Sequence, residues 1–200
     1  MSDQIDKINF LNLKSCDSEE VVSRTGCEFD KTSGQYIVKV WGNNYCVDLN
    51  KYEVWPERSG LKTYHEYLYL FILYYLMKSK NILPSGEWVS EKDIPDGAAF
   101  FRGPHTIPTD LITGRFGDDI DLFKKESEKL KGIAIELADA AYIFQITPTL
   151  PVAVLYWQGD EDFPSEAKLL FDRTIEQHLP LDIIYALAVE ICHALGQSLF

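Results

Sequence analysis

The sequence predicts an α+β fold: one domain over residues 1–200, with an antiparallel sheet packed against a central apolar helix and two C-terminal helices. Two observations favour this class. Short runs of alternating apolar and polar residues, separated by Gly and Asn turns, occur in two regions of the chain. Apolar segments with helical spacing stand between and after those regions. Strands and helices that are segregated along the chain are typical of α+β proteins.

The N-terminal part predicts a short helix followed by a three-stranded antiparallel meander. Asp17 has the features of a helix N-cap, with Glu20 three residues further on, and Gly26 those of a left-handed C-cap. Tight turns rich in Gly and Asn separate the three alternating runs. The strands of the meander are expected at residues 27–30, 36–41 and 45–49.

A long helix is predicted over residues 64–78, and it has almost no polar face. A helix that is apolar all round belongs in the middle of a domain. Its tyrosines are expected to be core rings whose hydroxyls reach the rim, the alternative being that they line a cavity. They are Tyr64, Tyr67, Tyr69, Tyr74 and Tyr75.

The remaining chain predicts a long connection, a helix, a strand pair and two final helices. Residues 81–117 are rich in Gly and Pro, and connections of this length are often functional when they are ordered. A helix is expected near 119–131. An antiparallel strand pair is expected at 140–146 and 152–157. The first final helix is predicted to begin at Pro164, and the second carries an apolar stripe that includes Leu181.

The composition excludes several partner classes. Lys and Arg number 19 against 31 Asp and Glu, which gives a formal net charge of −12. Because nucleic acids and anionic membranes attract cationic surfaces, neither is an expected partner. Residues 1–14 lack the apolar run of a secretory signal, and the most apolar stretch, 67–77, is shorter than the roughly 20 residues of a membrane helix. The four cysteines form no CxxC pair, so reduced thiols and a cytoplasmic location are expected.

The first candidate site is the Gly-rich loop, residues 96–105. Small residues let a ligand approach the backbone, and glycine amides can face an anion. Arg102 supplies a cationic fork beside Gly103, and His105 supplies a group that titrates near neutral pH. An anion site is therefore predicted here. The alternative is that Arg102 pairs with a carboxylate and the glycines only permit the turn.

The second candidate site is the acidic loop, residues 157–165, between a strand and the helix expected after it. Asp160 and Asp162 can share one face and offer oxygen ligands to a divalent cation, and Trp157 and Phe163 add apolar surface. The spacing of an EF-hand is absent, and no metal ligand is assigned. The alternative is that these acidic residues complement the N-terminal dipole of the following helix.

Three functions compete on these grounds. The leading hypothesis is an accessory binding module whose two loops meet at one small-molecule or anion site. The rival is a carboxylate- or metal-dependent hydrolase or lyase, which requires two carboxylates to converge on one substrate atom. The third is a subunit whose exposed aromatic surface docks a protein partner. The carboxylates considered for catalysis are Asp139, Asp160, Glu161 and Asp162.

Familiar catalytic motifs are absent from the chain. There is no G-x-S-x-G nucleophile elbow, no Walker A loop, no G-x-G-x-x-G after a strand and no H-E-x-x-H. Glu190 and His193 form an E-x-x-H, but a di-iron site needs a second such motif and two further glutamates. Spacing does not decide for or against a Cys–His nucleophile pair, because such partners meet only in space.

Three blocks of the chain carry a resemblance, at residues 95–104, 138–141 and 156–174. Together they resemble the uncharacterised proteins grouped as domain of unknown function family 3786. The resemblance implies an association with anaerobic bacteria and archaea, and some relatives carry an iron–sulfur segment that points toward corrinoid or one-carbon metabolism. This chain has no closely spaced cysteine quartet, and it has Ala138 where a glycine is expected. The resemblance implies neither a reaction nor a cofactor.

Overall fold

Two antiparallel sheets organise the chain, for which a computed structural model describes residues 6–58 and 65–197. The first sheet consists of β1 (Glu28–Asp30), β2 (Gln35–Val40), β3 (Asn43–Asp48) and β4 (Glu53–Pro56), in that spatial order. The strands of the second sheet are β5 (Trp88–Val89), β6 (Ile133–Ile135), β7 (Ala140–Thr147), β8 (Leu150–Trp157) and β9 (Glu166–Asp172). Their spatial order is β5-β9-β8-β7-β6.

The helices fall before, between and after the strands of the two sheets. Those of the first half are α1 (Lys7–Lys14), α2 (Ser18–Thr25), α3 (Tyr67–Lys78) and α4 (Gly97–Phe100). Those of the second half are α5 (Asp110–Phe116), α6 (Ile120–Lys129), α7 (Ile175–His178) and α8 (Leu181–Gly196). The connection between α3 and α6 is thus ordered into β5, α4, a short 3-10 helix at Gly103–His105, and α5.

Helix α2 begins and ends at residues with strong local preferences. Asp17 accepts a hydrogen bond from the Glu19 amide at 2.9 Å, which satisfies a donor of the first turn. Gly26 has φ 68° and donates its N–H to the Val22 carbonyl at 2.9 Å. Both caps predicted from the sequence are confirmed, because each depends only on neighbouring residues.

Helices α3 and α8 pack against each other in the main core. The central apolar helix is confirmed over Tyr67–Lys78, while Tyr64 lies outside the described residues. Tyr75 is fully buried, and its hydroxyl donates to the Thr25 carbonyl at 3.2 Å. Its ring is therefore a core ring with a satisfied hydroxyl.

Aromatic contacts attach α5 and α6 to one face of the second sheet, called the inner face here. Tyr156 on β8 stacks on Phe123 of α6 with ring centroids 4.7 Å apart, and it meets Phe116 of α5 edge-on at 6.2 Å. The two sheets meet where the Trp41 amide donates to the Ile146 carbonyl at 2.7 Å. Helices, sheets and their connection therefore share one connected cluster of buried side chains.

The α+β class is confirmed, but the helix expected to begin at Pro164 is wrong. Residues Glu166–Asp172 form β9, whose Ala167, Leu169 and Phe171 alternate into the core. Leu, Ala and Lys favour a helix locally, yet pairing with β8 and burial of alternate side chains override that preference. The predicted meander and strand pair are present, and β4, β5, β6 and β9 extend them into sheets of four and five strands.

Candidate functional site

The Gly-rich loop is held by backbone geometry that requires glycine at two positions. A Cβ atom at Gly97 would collide with the carbonyl oxygen of Glu91, so α4 can pack on the segment before it only with glycine there. Gly103 has φ 56°, in the left-handed region. Asp96, which precedes α4, also has positive φ, 61°. These glycines permit the turn, as the alternative reading of the sequence supposed.

Arg102 and Gly103 line a cavity of about 440 Å³ formed by the Gly-rich loop and the segment before it. The side chains of Arg102 and Lys92 are exposed, and neither makes a hydrogen bond or ion pair with any residue in 6–58 or 65–197. The pairing of Arg102 with a carboxylate, which the sequence left open, is therefore not found among those residues. The described residues that line the cavity are Glu91, Lys92, Ala98, Phe101, Arg102, Gly103, Thr106 and Ile107.

His105 is turned against aromatic rings and is not among those lining residues. Its ring stacks on Phe100 with centroids 4.4 Å apart and an interplanar angle of 9°. Tyr185 of α8 meets the same ring edge-on at 5.4 Å, and its hydroxyl donates to the Pro104 carbonyl at 3.1 Å. In this arrangement His105 and Tyr185 fasten the Gly-rich loop to α8.

The E-x-x-H of α8 contacts the segment before α3. Glu190 is buried and accepts a hydrogen bond from the His65 amide at 2.7 Å, while the rings of His65 and His193 lie 4.9 Å apart. No group of three or more His, Cys, Asp or Glu side chains in the described parts of the chain is arranged to hold a metal ion. The motif thus joins α8 to the segment before α3.

Carboxylates of the acidic loop hold its backbone turn. Asp160 accepts hydrogen bonds from the amides of Asp162 and Phe163 at 2.9 and 2.8 Å, and the Asp160 amide donates to the Phe163 carbonyl at 2.9 Å. Asp139 accepts from the Gln158 amide at 3.0 Å. Because β9 follows the loop, the helix-dipole role considered from the sequence does not apply.

The two loops have separate sets of contacts. Among the residues that the structure describes, no hydrogen bond or ion pair joins the Gly-rich loop to the acidic loop, and the acidic loop contributes nothing to the lining of the cavity at Arg102. Gly159 instead packs closely on Asp118, just beyond the end of α5. A site shared by Arg102 and Asp160 stays a prediction.

Three of the four cysteine thiols lie in surroundings that oppose activation. Burial raises the pKa of Cys27, Cys46 and Cys192, and a nucleophilic thiol needs the opposite shift. All four cysteines, Cys16 included, are free of disulfides. The three buried thiols therefore do not support a Cys–His nucleophile pair.

A hydroxyl–imidazole pair that the sequence analysis did not single out lies in the interior. Ser79 Oγ and His178 Nδ1 are 3.2 Å apart, and the Lys80 amide also donates to that nitrogen at 3.2 Å. Ser79 and His178 are each 1% exposed, so substrate cannot reach the hydroxyl in this conformation. The Nε2 of His178 has no hydrogen-bond partner in the described structure. We therefore assign the pair to the packing of α3 against α7.

We expect His178 to make the protein less stable in mild acid. Burial, aided by the charge of Lys80, holds the pKa of His178 below its usual 6.5. Below that pH the unfolded chain binds a proton that the folded chain resists, so the free energy of unfolding falls as the pH drops from about 6.5 toward the folded pKa. Urea unfolding at pH values between neutral and mildly acidic measures the slope.

The matched variants for this pH dependence are His178→Asn and His193→Asn. The slope is expected to flatten more with His178→Asn, because His193 is less buried although its pKa is also lowered, by burial and by His65. An unchanged slope in His178→Asn would contradict the assignment to His178.

The third block of the sequence resemblance covers the end of β8, the acidic loop, β9 and the turn that follows it. Asp172, the last residue of β9, is buried and accepts hydrogen bonds from Ser85, Gly86 and Thr174. Arg173 forms an exposed ion pair with Glu87 at 2.8 Å. Residues 172–174 of this block therefore hold the fold together through these contacts. The first block forms part of the wall of the cavity at Arg102.

Comparison with known proteins identifies a family and no characterised relative. No curated protein matches the chain, and no solved structure does either. Within the described residues, no helix is long and apolar enough to cross a bilayer. The family model described as Domain of unknown function (DUF3786) matches residues 17–194, and the chain therefore belongs to that family.

Proposed function

We propose that this chain binds a small anionic ligand in the cavity at Arg102. The observation that carries the proposal is that Arg102 and Lys92 both line this cavity and that neither cationic side chain has a partner in the described structure. The chain has 31 acidic and 19 basic residues, so carboxylates outnumber the cationic side chains that could pair with them. Two unpaired cations beside one cavity therefore support a site for an external anion.

The chemistry of the lining narrows the ligand class. The guanidinium fork of Arg102 matches a carboxylate or phosphate with two parallel hydrogen bonds. Glu91 is the one carboxylate among the described lining residues, and it can accept a hydrogen bond from a hydroxyl or ammonium group of the ligand. Phe101 and Ile107 supply an apolar wall. The ligand we propose is a small hydroxy acid, amino acid or phosphate ester, and the cavity of about 440 Å³ is of suitable size.

The wider hypothesis from the sequence is an accessory module of anaerobic metabolism in the cytoplasm. The family resemblance supports the metabolic setting, and the four free cysteines fit a reducing compartment. Participation of Trp157, Asp160, Asp162 and Phe163 on the other side of the ligand is part of that hypothesis. Its test is whether substitutions in the acidic loop change the affinity of the anion.

A hydrolase or lyase at the acidic loop is the alternative function. Such an enzyme needs two carboxylates free to act on one substrate atom. The carboxylate of Asp160 is occupied by the amides of Asp162 and Phe163, and that of Asp139 by the Gln158 amide. These contacts favour binding at Arg102 over catalysis at Asp160.

We expect Arg102→Gln to weaken anion binding by about tenfold or more, because the loss of a charge-assisted hydrogen-bond pair has that effect. Calorimetric titration at low ionic strength with inorganic phosphate and with glycolate measures it, and uncharged ethylene glycol is the negative probe. Lys92→Gln is expected to lower the affinity less, because its ammonium contributes a point charge and no fork.

Arg58→Gln is the matched control for this experiment. Arg58 is an exposed arginine after β4 in the other sheet and does not line the cavity, so its removal changes the net charge equally. Absence of heat with both phosphate and glycolate would overturn the proposal. An equal loss of affinity in Arg58→Gln and Arg102→Gln would overturn it too, since only general electrostatics would then be at work.

A further inference from the structure

The face of the second sheet opposite α5 and α6, called the outer face here, carries two apolar rows across the strands. Directly opposite residues in antiparallel strands lie on the same face. One row runs from the edge strand β6 to β9, and its members are Ile133, Ile143, Ala153 and Leu170. The next row consists of Ile135, Ala141, Leu155 and Lys168.

Side chains of the outer face form a second apolar cluster, separate from the main core. Ala141, Ala153 and Leu155 at its centre are 2%, 0% and 5% exposed. Trp88 and Trp157 are half-buried at its borders, together with side chains of the two rows. The ring contacts of α5 and α6 are with Tyr142 and Tyr156, on the inner face, so these two helices leave the outer face uncovered.

Strongly exposed apolar side chains occur at one end of a row of this face and in the segments that adjoin the strands of the sheet. Ile133 and Leu137 at the β6 edge are 64% and 47% exposed, and Phe163 in the acidic loop is 73% exposed. Leu83, in the segment that leads to β5, is 78% exposed. Apolar side chains gathered around one sheet face mark an interaction surface, whereas single scattered ones do not.

The charges at one end of the outer face select the chemistry of the partner. The β6–β7 connection and the acidic loop lie side by side there, joined by the hydrogen bond from the Gln158 amide to Asp139. Lys168 is the one cation in the two rows. The carboxylates at this end are Glu136, Asp139, Asp160, Glu161, Asp162 and Glu166.

We propose that the outer face docks a protein partner whose apolar patch is bordered by lysine and arginine. A second copy of this chain would bring the same acidic end and a net charge of −12 to the interface, so self-association is disfavoured by repulsion. A basic partner gains attraction at the acidic end and buries Trp88, Trp157 and Phe163, the aromatic residue types that anchor interfaces. The exposed ring of Phe163 and the carboxylates of Glu161 and Asp162 then belong to the docking surface.

Two synthetic amphipathic peptides test this assignment: one alternates leucine with lysine, and the other alternates leucine with glutamate. The lysine peptide is expected to bind the full chain, and the glutamate peptide is not. The double variant Phe163→Ser/Ile133→Ser is expected to lower the affinity for the lysine peptide by about tenfold. The charge-reversal variant Glu161→Lys/Asp162→Lys is expected to lower this affinity similarly and to remove most of the dependence of binding on salt concentration.

The control variant is Ile8→Ser, which removes an apolar side chain that is 49% exposed on α1, outside the outer face. The affinity of Ile8→Ser for the lysine peptide should equal that of the parent chain. The affinity of Arg102→Gln for this peptide should also be unchanged. A failure of the docking proposal can therefore be distinguished from a failure of anion binding. Equal weakening by Ile8→Ser and by the face variant would overturn the proposal. A dimer in sedimentation analysis that dissociates in Phe163→Ser/Ile133→Ser would overturn it as well, in favour of a second copy.

Discussion

Replacing Asp172 with alanine is expected to lower the free energy of unfolding by about 3 kcal/mol, because buried donors lose their acceptor. The Asp172 carboxylate accepts five hydrogen bonds: two from Ser85, one from the Gly86 amide and two from Thr174. The side chain is 2% exposed, so water cannot substitute for it without local opening. These bonds join the end of β9 to the segment that leads into β5. Urea unfolding followed by circular dichroism measures the change.

Asp160→Ala is the matched control for Asp172→Ala. Asp160 also accepts two backbone amides, but it does so in the exposed acidic loop, where water can replace the carboxylate. The unfolding midpoint of Asp160→Ala is expected to stay close to that of the parent chain. Asp172→Asn should fall between parent and alanine, because the amide keeps one acceptor oxygen and turns an NH2 group toward existing donors. Equal destabilisation by Asp172→Ala and Asp160→Ala would contradict the role given to Asp172.

The same carboxylate predicts part of the acid sensitivity of the fold. Burial by itself raises the pKa of Asp172, but hydrogen bonds from Thr174, Ser85 and Gly86 outweigh it and hold the pKa below the usual 3.8. The stabilisation is therefore present above about pH 3.8 and is lost as the pH falls through the lower folded value. Stability curves of parent and Asp172→Ala should accordingly converge in strong acid.

Elements governed by neighbouring residues could be predicted from the sequence. The caps of α2 at Asp17 and Gly26 depend on contacts within one or two turns, and both are as expected. The span of α6 follows from its N-cap Asp119, which accepts the Leu122 amide at 2.9 Å. Strand β9 could not be predicted in this way, since its conformation is decided by pairing with β8 and with β5, which lies far earlier in the chain.

The residues of the candidate site also divide into those that the local sequence predicts and those that only the fold brings to the cavity. Arg102 and Gly103 were predicted from loop composition, and both line the cavity. Lys92 and Glu91 were not predicted, because they reach the cavity through a fold-back of the chain that depends on the close approach at Gly97. One local signal was available: the Asp93 carboxylate accepts the amide and hydroxyl of Ser90, and a Ser-x-x-Asp spacing before a Gly-rich segment is typical of a turn.

Arg115→Met is expected to cost about 3 kcal/mol of unfolding free energy, since it removes one of the two cationic donors of a buried carboxylate and the donor of two helix-end carbonyls. The Arg115 guanidinium donates to Glu126 at 2.7 Å and to the carbonyls of Leu195 and Gln197 at 2.6 and 2.5 Å. The Arg115 and Glu126 side chains are 12% and 6% exposed. One residue of α5 thus closes the end of α8 and fixes α6 beside it. Thermal and urea unfolding measure the loss.

A double-mutant cycle separates the ion pair from the helix-end contacts. Lys129 and Arg115 hold the pKa of Glu126 below its usual value against the opposing effect of burial. The carboxylate therefore stays charged, and the removal of Arg115 destabilises it. In the Arg115→Met background, Glu126→Gln is therefore expected to cost less stability than it does in the parent chain, because only the pair with Lys129 then remains to be lost. Lys31→Met, which breaks the exposed pair with Glu19, should leave the midpoint unchanged. If Glu126→Gln costs the same in both backgrounds, Arg115 acts only on the carbonyls of α8, and its contact with Glu126 contributes nothing to the fold.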